Sequence, residues 1–550
     1  MNGVASTMMS WLREIPAVTV QCHGQDHGVL STSAWLRVGA LLMHRELAII
    51  NCSFPHSLAY SWVASVAVVP DLTWTRCVSC FGWDATDSTE SLQLALSDTM
   101  VSTLIVDVPR DPVVGWVVRP LFITRDDLTV IFEDGVLLHA RKGHFQGVDG
   151  DQASLLTVYK ASNISLIGRG NATLRMRRED YLNASLGYVE HSEWRMGINL
   201  LYSSQIRVHG LRVEDTGGDG IYVLGYTDIH ISDCVLDRNF RQGMSVINAS
   251  NLLVERTMFS NTDGTPPMAG MDMEPDSHCM MLVNVTIRDS KFIGNSGFGW
   301  ILSPSMLNGS SRDLSIVLEN ITVSGGSTRP PLDTAHPAWR PGLGLGITGI
   351  LQDGTLRPDW GHGATGGSVL ISNSTVSDTW GSGLFITSKG THAATVTVSR
   401  TMQRTVAAAF FAKLVLLLTR LHGWVHAQIS NVTFDTVQKE PPPSSCPAPV
   451  SKSCPPPAGS YGVPLFVGGN SDSCFATGGI TFDTCTVIDP LNRSFILFEN
   501  VAGKCAATPS GQWALAQIQG AFTVRNGYGC QHSAPPNGTD VDIHVNCIET

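Results

Sequence analysis

The feature that most constrains this chain is a strand-like pattern that returns at regular spacing along much of its length. An apolar residue that ends one short segment is followed five positions later by another apolar residue. Val208, Ile231 and Val254, which open three consecutive pairs, are separated by 23 residues each time. A repeat of that length predicts a solenoid, in which each coil packs against its neighbours. The pairs are Val208/Val213, Ile231/Leu236, Val254/Phe259, Ile287/Phe292, Leu318/Val323, Ile371/Val376, Ile429/Phe434 and Phe482/Val487.

Between the two members of a pair the sequence predicts a tight bend and no helix. Gly, Ser, Thr, Asn and Val are plentiful, which favours strands and turns. Short strands joined by single bends indicate a β-helix in preference to leucine-rich or helical repeats. We therefore predict an all-β parallel β-helix, periodic from about residue 160, with long loops inserted between the later coils. Asp and Asn tolerate the bent or left-handed backbone of such turns, and they occupy the bends at Asp233, Asp289, Asn320, Asn373 and Asn431.

Three successive units between Val213 and Pro275 each end in a glycine followed by alternating side chains. Alternate residues of a strand face opposite ways, so each unit has an inward and an outward set. The predicted inward residues are Ile221, Met244 and Met271, with Val223, Val246 and Met273 beside them. The predicted outward residues are Tyr222, Ser245 and Asp272, followed by Leu224, Ile247 and Glu274.

The outward carboxylates of the third unit are the main catalytic candidates. Asp272 and Glu274 stand two residues apart, so their side chains are expected ~6.6 Å from one another on one face. That separation suits two carboxyl groups that flank a glycosidic bond. Aligning the units on their glycines places Asp219 beside Gln242, with Arg241 next to them. We predict that Asp272, Glu274, Asp219 and Arg241 are the catalytic residues.

Other polar residues around these units are predicted to contact substrate. A surface that mixes carboxylates, arginines and an aromatic ring suits an acidic or hydroxyl-rich polysaccharide. A structural interpretation is also open, because outward acids are often no more than a solvated face, and Arg241 can simply pair with Asp219 or Glu274. The predicted substrate-binding residues are Tyr222, Asp237, Arg238, Asn239, Ser245 and His278.

Residues 81–96, FGWDATDSTESLQLAL, predict a helix that begins near Thr89 and is capped by Asp87 or Ser88. This stretch resembles the FGAxGDGxTDDTxAIQxAI opening of the pectate-lyase-like superfamily, and GDGIYV, NFRQGMSVI and TPPMAGMDMEP resemble its later segments. The resemblance implies a right-handed parallel β-helix whose N-terminal end is closed by that helix, and a carbohydrate-active role like that of glycoside-hydrolase-28-like and polysaccharide-lyase-like enzymes. The NTD, DD and RIK motifs of polygalacturonases are not reproduced in this sequence. A GHG motif occurs at residues 361–363, but it lies in a loop outside the order of the repeating coils.

Three functions are open at this point. A hydrolase would use Asp272 and Glu274, or one of them with Asp219, as general acid and base, and requires no cofactor. A lyase would need a base, for which His278 is a candidate, and a cation that neutralises a uronate. Arg241 or Arg238 would supply that cation, or Ca²⁺ held by Asp219, Asp237 and Asp272. The alternative is a non-catalytic secreted or surface protein that binds glycans along its flat sheet.

The net charge limits which partners the protein can bind, and the cysteine usage indicates its compartment. A formal charge of −11 and the lack of any basic run argue against nucleic acid. Seven of the 13 cysteines lie beyond residue 440, which indicates disulfides and an oxidising compartment, while Cys77 and Cys80 indicate a local disulfide or two unpaired thiols. Twelve Asn-x-Ser/Thr sites favour a secreted glycoprotein.

The chain divides into four predicted segments. Residues 1–75 have no assigned fold and include a possible displaced signal region; residues 76–440 form the β-helix; residues 441–458 are a proline-rich loop; and residues 459–550 add terminal, cysteine-containing rungs. Within the β-helix, residues 325–366 are predicted as a loop excursion and residues 405–425 as an inserted helix. No stretch is apolar over enough residues to predict a stable membrane span.

Overall fold

The structure is a computed structural model. It describes residues 74–147, 154–189, 193–304, 306–307, 310–324, 343–347, 367–377, 384–389, 395–399, 402–407, 415–419, 426–438, 465–468, 480–489, 496–499, 518–526 and 541–549. The chain divides into two units, Met1–Thr73 and Trp74–Thr550, and the described residues all belong to the second. The predicted N-terminal segment, the proline-rich loop, the GHG tripeptide and most of the C-terminal cysteines lie outside the described residues.

The second unit is a parallel β-helix with 36 described strands, whose pairings are all parallel. The strands stack in three faces, named A, B and C. Long strands bend from one face to the next: β13 and β15 cross from face C to face A, and β33, β35 and β36 cover both A and B.

Face A contains the strands that bear the first apolar residue of each predicted pair: β1 (Trp74–Cys77), β2 (Val101–Val106), β5 (Leu128–Phe132), β8 (Ser162–Gly168), β11 (Ser204–His209), β13 (Ile221–Ser232), β15 (Met244–Glu255), β18 (Leu282–Arg288), β21 (Leu314–Glu319), β24 (Gly367–Ser372), β27 (Thr395–Ser399), β30 (His426–Ser430), β33 (Ile480–Asp489), β35 (Ile518–Asn526) and β36 (Val541–Glu549). Face B follows each bend: β3 (Trp116–Val118), β6 (Leu137–Ala140), β9 (Thr173–Arg175), β12 (Arg212–Glu214), β14 (Val235–Asp237), β16 (Met258–Ser260), β19 (Lys291–Ile293), β22 (Thr322–Ser324), β25 (Thr375–Ser377), β28 (Met402–Ala407) and β31 (Thr433–Gln438).

Face C carries the three glycine-led segments of the sequence repeat. It consists of the first parts of β13 and β15 together with β4 (Leu121–Ile123), β7 (Leu156–Tyr159), β10 (Ile198–Leu201), β17 (Met271–Met273), β20 (Phe298–Leu302), β23 (Leu343–Ile347), β26 (Leu384–Lys389), β29 (Val415–Thr419), β32 (Leu465–Gly468) and β34 (Ile496–Glu499).

The strand register confirms the apolar repeat. Val208 pairs with Ile231 and Ile231 with Val254, so residues 23 apart in sequence are neighbours on face A. Both members of the first six predicted pairs are buried in one continuous core. One rung between the sixth and seventh pairs was missed: β27 and β28 place Val398 and Gln403 in register with Ile371 and Val376. The pattern overlooked it because Gln403 is not apolar.

The bends adopt the predicted left-handed backbone. Asp233, Asp289, Asn320, Asn373 and Asn431 all have φ between 50° and 56°. The side chains of Asp233, Asp289 and Asn320 also form hydrogen bonds along the stack. Asn320 Nδ2 donates to Asp289 Oδ1 at 2.6 Å, and Arg256 donates to both carboxylate oxygens of Asp233. The structural interpretation of these turn residues therefore agrees with the geometry.

The predicted N-terminal helix is α1 (Thr89–Ser97), and it covers the end of the core. Leu92, Ala95 and Leu96 are buried in the continuous core, whereas Leu94 is 63% exposed. Ser88 is the N-cap residue and its side chain makes no capping hydrogen bond, while Asp87, one residue earlier, accepts the Thr89 backbone N–H at 3.1 Å and so satisfies one donor of the first turn. Three short 3-10 helices accompany α1: Val78–Phe81, Asp180–Leu182 and Ala184–Leu186.

Two expectations about segments need correction. The apolar run within residues 405–425 is not a helix where it is described: β28 pairs with β25 and β31, and β29 pairs with β26 and β32. A continuous apolar run also suits a strand of a parallel sheet, and the two cannot be separated by apolarity alone. The excursion at 325–366 contains β23, a further face C strand. Rungs also lie upstream of residue 160, where the apolar pattern does not reveal them, within the β-helix segment predicted from residue 76.

Candidate functional site on the outer side of face C

The outward row of face C is formed as predicted. Tyr222 pairs with Ser245 and Ser245 with Asp272, on the adjoining strands β13, β15 and β17. Met271 and Met273, on either side of Asp272, are both fully buried in the core. Asp272 therefore projects outward by strand alternation, although it is only 2% exposed because other residues cover it.

A stack of glycines sets the approach of the chain to this row. The backbone N–H of Gly220 donates to Gln242 O, and that of Gly243 to Ala269 O, which confirms the predicted alignment of Asp219 beside Gln242. A Cβ on Gly243 would lie 2.4 Å from Gly270 O, and one on Gly270 would lie 2.6 Å from Gly299 O. Only glycine fits at such a distance, so the rungs approach closely where they enter face C.

Arg241 lies at the centre of a cluster of carboxylates. Its guanidinium is 3.3 Å from Glu193 Oε2, 3.7 Å from Asp219 Oδ2 and 3.9 Å from Glu274 Oε2. Burial acts to lower the pKa of Arg241, but these carboxylates and Asp272 raise it overall, so the side chain stays cationic. The backbone N–H of Arg241 donates to Gly218 O at 3.1 Å, which fixes the base of the side chain.

Asp219 is the most deeply buried member of the cluster, at 0% exposure. Neither of its carboxylate oxygens makes a hydrogen bond of good geometry to a described residue. Burial raises the pKa of Asp219 to about 6, although the Arg241 guanidinium and the nearby Ser245 hydroxyl both act to lower it. This carboxyl therefore changes its charge close to neutral pH.

Asp272 and Glu274 form an interacting pair. Burial raises the pKa of Asp272 well above its usual value, and the Glu274 carboxylate raises it further, while Arg241 opposes the shift. Burial also raises the pKa of Glu274, and the Arg241 guanidinium opposes that shift. Gln242 Nε2 donates to Asp272 Oδ2 at 3.0 Å. Two such neighbouring acids retain a proton at a pH where isolated ones are ionised.

Glu274 is the member of the pair that solvent reaches, since its side chain is 40% exposed. Beside it an apolar cluster lies on the outer side of face C. Met196, Leu201, Tyr222 and Ile247 are buried there, with Leu224 and Met280 packed against them. Burial raises the pKa of Tyr222, and the carboxylates of Asp276 and Asp219 raise it further, so its hydroxyl remains protonated.

Three predicted substrate-binding residues lie at a different corner. Asp237 ends β14 on face B, where it accepts hydrogen bonds from Arg212, Ser260 and Asn261 at 2.6 to 2.8 Å. Arg238 pairs with Asp215 at 2.9 Å. Asn239 is fully buried and accepts a hydrogen bond from Thr216 Oγ1. These contacts hold the turn between faces B and C, and they do not bring the three side chains to the Arg241 cluster.

His278 lies on the exposed loop that follows β17. Its imidazole Nε2 is 3.3 Å from Cys279 Sγ, and its carbonyl accepts a hydrogen bond from Ser311. No contact joins it to the carboxylates among the described residues. Within the same part of the chain, no group of three or more His, Cys, Asp or Glu is arranged to hold a metal ion. The set of Asp219, Asp237 and Asp272 expected for Ca²⁺ is thus not assembled there.

Several residues of the cluster were not predicted. Glu193 precedes β10 in the SEW stretch and approaches Arg241 from the neighbouring rung. Gln242 was aligned correctly but not recognised as a partner of Asp272. Asp276 follows Glu274, and burial raises its pKa while Arg241 opposes that shift. The spacing of Asp276 from Glu274 was the one signal that could have identified it, because the pair repeats the step from Asp272 to Glu274.

Comparison with protein families identifies the fold. The family described as a right handed beta helix region matches residues 162–272 and, in an overlapping match, 195–306. With the parallel stacking of every described strand pair, this confirms the predicted all-β, right-handed parallel β-helix with an N-terminal helix. The matched region includes Asp219, Tyr222, Arg241, Ser245, Asp272 and Glu274.

Individual proteins resemble the chain more distantly. The uncharacterized protein YclG of Bacillus subtilis (strain 168) is 26% identical over 268 residues, which span 42% of this chain and 45% of that protein. A family 28 exopolygalacturonase from Yersinia enterocolitica is 9% identical, with a TM-score of 0.42 over 90% of this chain and 82% of its own. A tailspike protein of E. coli bacteriophage HK620, solved with a pentasaccharide, is 12% identical, with a TM-score of 0.45 over 88% and 80%.

With TM-scores below 0.5, these two structures say nothing about what this chain acts on. The relative from Bacillus is matched over less than half its length. Among the described residues, no helix is both long and apolar enough to cross a membrane.

Proposed function

We propose that this right-handed parallel β-helix protein binds a polysaccharide on the outer side of face C and hydrolyses it there. The observation that supports this most directly is the Asp272–Glu274 pair, whose pKa values are both raised by burial. Raised pKa values in a partly open cluster of charged residues are typical of groups that transfer protons. An extracellular location, which cysteine usage and glycosylation sites favour, is part of the same proposal.

Glu274 is proposed as the general acid. Its side chain is 40% exposed, so it can reach a glycosidic oxygen, and burial raises its pKa, which favours the protonated form that a general acid needs. Asp272 is 2% exposed and does not reach substrate in this conformation. It is proposed to retain a proton, because burial and the Glu274 carboxylate raise its pKa, and so to limit the negative charge beside Glu274.

Glu193 is proposed as the second carboxylate, which activates water or attacks the sugar. Both Glu193 and Glu274 approach the Arg241 guanidinium, at 3.3 and 3.9 Å. Their carboxylates are therefore at most roughly 10 Å apart, a limit that accommodates the carboxylate separations of glycoside hydrolases. The side chain of Glu193 is 43% exposed and is thus accessible from the same side as Glu274.

Arg241 favours hydrolysis over elimination. A lyase needs a cation free to neutralise a uronate, but Arg241 is already surrounded by Glu193, Asp219 and Glu274. Its proposed role is to hold these three acids close together, because its positive charge offsets the repulsion between their carboxylates. His278, the expected base of a lyase, is exposed on a loop and contacts Cys279.

A non-catalytic glycan-binding protein is the second candidate, and one observation favours it. Asp219 and Asp272, two of the four residues predicted to be catalytic, are buried beneath Arg241. Buried acids paired with an arginine also serve purely to hold loops together. A hydrolase needs Glu274 for turnover, whereas in a non-catalytic binding protein Glu274 serves only the fold.

The experiment compares Glu274→Gln and Asp272→Asn with the wild type and with Glu319→Gln, a control on an exposed face A position. Purified proteins are incubated with a panel of neutral and uronate polysaccharides, and new reducing ends and unsaturated products are measured separately. We expect hydrolysis without unsaturated products. Because proton transfer by a side chain contributes about 10²–10⁴-fold, Glu274→Gln should lower kcat by that range with binding retained. Equal turnover by the wild type and Glu274→Gln would refute the assignment. Binding without turnover by any of the proteins would favour the second candidate.

A further inference from the structure

Three exposed tyrosines form a ladder on successive rungs, outside the carboxylate cluster. Tyr159, Tyr202 and Tyr226 are 36%, 40% and 51% exposed. Their ring centroids are 6.2 Å apart between Tyr159 and Tyr202 and 6.1 Å apart between Tyr202 and Tyr226. The ladder lies at the corner where face C turns into face A, because Tyr159 and Tyr202 end face C rungs.

The fold itself does not call for aromatic rings at this corner. Tyr202 has a φ of 52°, a left-handed backbone that Asn, Asp or Gly adopts more readily and that is uncommon for a bulky residue. None of the three rings belongs to the buried core or to the apolar cluster beside the carboxylates. Backbone strain at an exposed aromatic residue such as Tyr202 is a reason to look for a functional role.

Lys160 adds a positive charge to the ladder. Its Nζ lies 5.0 Å from the centroid of the Tyr159 ring. Tyr159 raises the pKa of Lys160, so the side chain stays an ammonium beside the first ring of the ladder. No carboxylate of the described residues pairs with Lys160, in contrast to Arg241. Its charge is available to an anionic ligand.

The ladder is continuous with the carboxylate cluster. Leu201, directly before Tyr202, packs in the apolar cluster with Tyr222, and Tyr222 pairs with Ser245 and then Asp272 along the row. From the strand of Tyr159 to that of Asp272 there are four strand spacings of ~4.8 Å, or ~19 Å along the axis. A chain molecule laid along face C would contact both.

We propose that Tyr159, Tyr202, Tyr226 and Lys160 form a distal binding site for an acidic glycan, and that the glycan runs along the helix axis from this site to Glu274. The apolar faces of sugar rings pack against the tyrosine rings, the tyrosine hydroxyls bond sugar hydroxyls, and Lys160 binds a sugar carboxylate. This inference deepens the proposed function, since it names the class of polysaccharide and its direction across the site.

The test measures binding to an immobilised panel of acidic and neutral glycans, with turnover measured in parallel. The variants are Tyr202→Ala, Tyr202→Phe, the triple variant Y159A/Y202A/Y226A and Lys160→Gln. Leu94→Ala, at a 63% exposed position on α1, is the matched control for loss of an exposed apolar side chain. Thermal unfolding of each variant shows whether it is folded.

We expect the triple variant to bind glycans at least about tenfold more weakly, a loss readily resolved in a titration, while Leu94→Ala is unchanged. Tyr202→Phe should retain most of the affinity that Tyr202→Ala loses, because the ring is kept. Lys160→Gln should weaken binding of acidic glycans only, and added salt should reduce the difference between Lys160→Gln and the wild type.

The outcomes separate this inference from the proposed function. Glycans that are bound and cleaved equally by the wild type and a folded triple variant would overturn the ladder site alone. Ladder-dependent binding without cleavage would overturn hydrolysis alone. Wild-type protein that binds no glycan of the panel would count against both. Equal affinity for acidic and neutral glycans would overturn the proposed role of Lys160.

Discussion

Replacing Asp219 by Asn tests the electrostatics of the carboxylate cluster without changing its shape. Asp219 is fully buried beside Arg241, and burial raises its pKa to about 6 from an unperturbed 3.8. A carboxyl with a raised pKa binds more protons in the folded state than in the unfolded state. Its contribution to stability is therefore complete below pH 3.8 and is lost as the pH rises to about 6.

The magnitude follows from the shift. The difference between 3.8 and about 6 corresponds to a total loss of about 3 kcal/mol, of which about half falls between pH 5 and pH 8. The amide that replaces the carboxyl cannot ionise, so the variant lacks this component. We expect the free energy of unfolding to fall by about 1.5 kcal/mol less in Asp219→Asn than in the wild type between these two pH values.

The assay is urea unfolding of both proteins at pH 5 and pH 8, and the result is the difference between their two pH effects. Any effect of the substitution that does not depend on pH cancels in that comparison. Asp134→Asn, at a turn position remote from face C, serves as the control and should match the wild type. A pH effect in Asp219→Asn equal to that of the wild type would show that the pKa of Asp219 is not raised by burial, and would refute this reasoning.

Two further predictions concern stability away from the cluster. Glu255 on face A accepts hydrogen bonds from Arg288 and pairs with Arg256 and His230, and Arg256 in particular lowers its pKa to about 2. The contribution of Glu255 to the free energy of unfolding is present above pH 4.5 and is lost as the pH falls towards 2. Glu255→Gln should therefore lower stability at pH 7 by roughly 1–3 kcal/mol and have a smaller effect at pH 2. An equal loss at both pH values would contradict this. A Cβ at position 243 would lie 2.4 Å from Gly270 O, so Gly243→Ala should destabilise the protein by about 1–3 kcal/mol in urea unfolding. The control Ser315→Ala, at an exposed position, should leave the stability unchanged. Equal urea midpoints for the two variants would show that the rungs can move apart.

The fold was largely predictable because each rung depends on its neighbours in a regular way. A buried residue on face A must stack on a buried residue of the next rung, so Val208, Ile231 and Val254 reveal the register without any structure. The rung with Gln403 shows the limit of that reasoning, since the backbone can continue a ladder through a polar side chain. The strands within 405–425 show another limit, because apolarity does not distinguish a buried strand from a helix.

The candidate site was predictable in its row and not in its surroundings. Strand alternation places Tyr222, Ser245 and Asp272 on one side, and the register confirms that order. Alternation does not say what covers an outward residue, and so the burial of Asp272 was not anticipated. Glu193 reaches Arg241 from a loop, and the sequence repeat does not predict the path of a loop. The catalytic and binding roles of all these residues remain predictions.

The equal length of the rungs between Val208 and Val254 has a consequence for how such a surface can diversify. Because each rung there contacts only the one before and the one after, an extra 23-residue copy could slot in without disturbing the packing on either side. One coil added between β13 and β15 would move Tyr226 ~4.8 Å further from Asp272. The length of glycan that this surface binds could then change during evolution in steps of one coil.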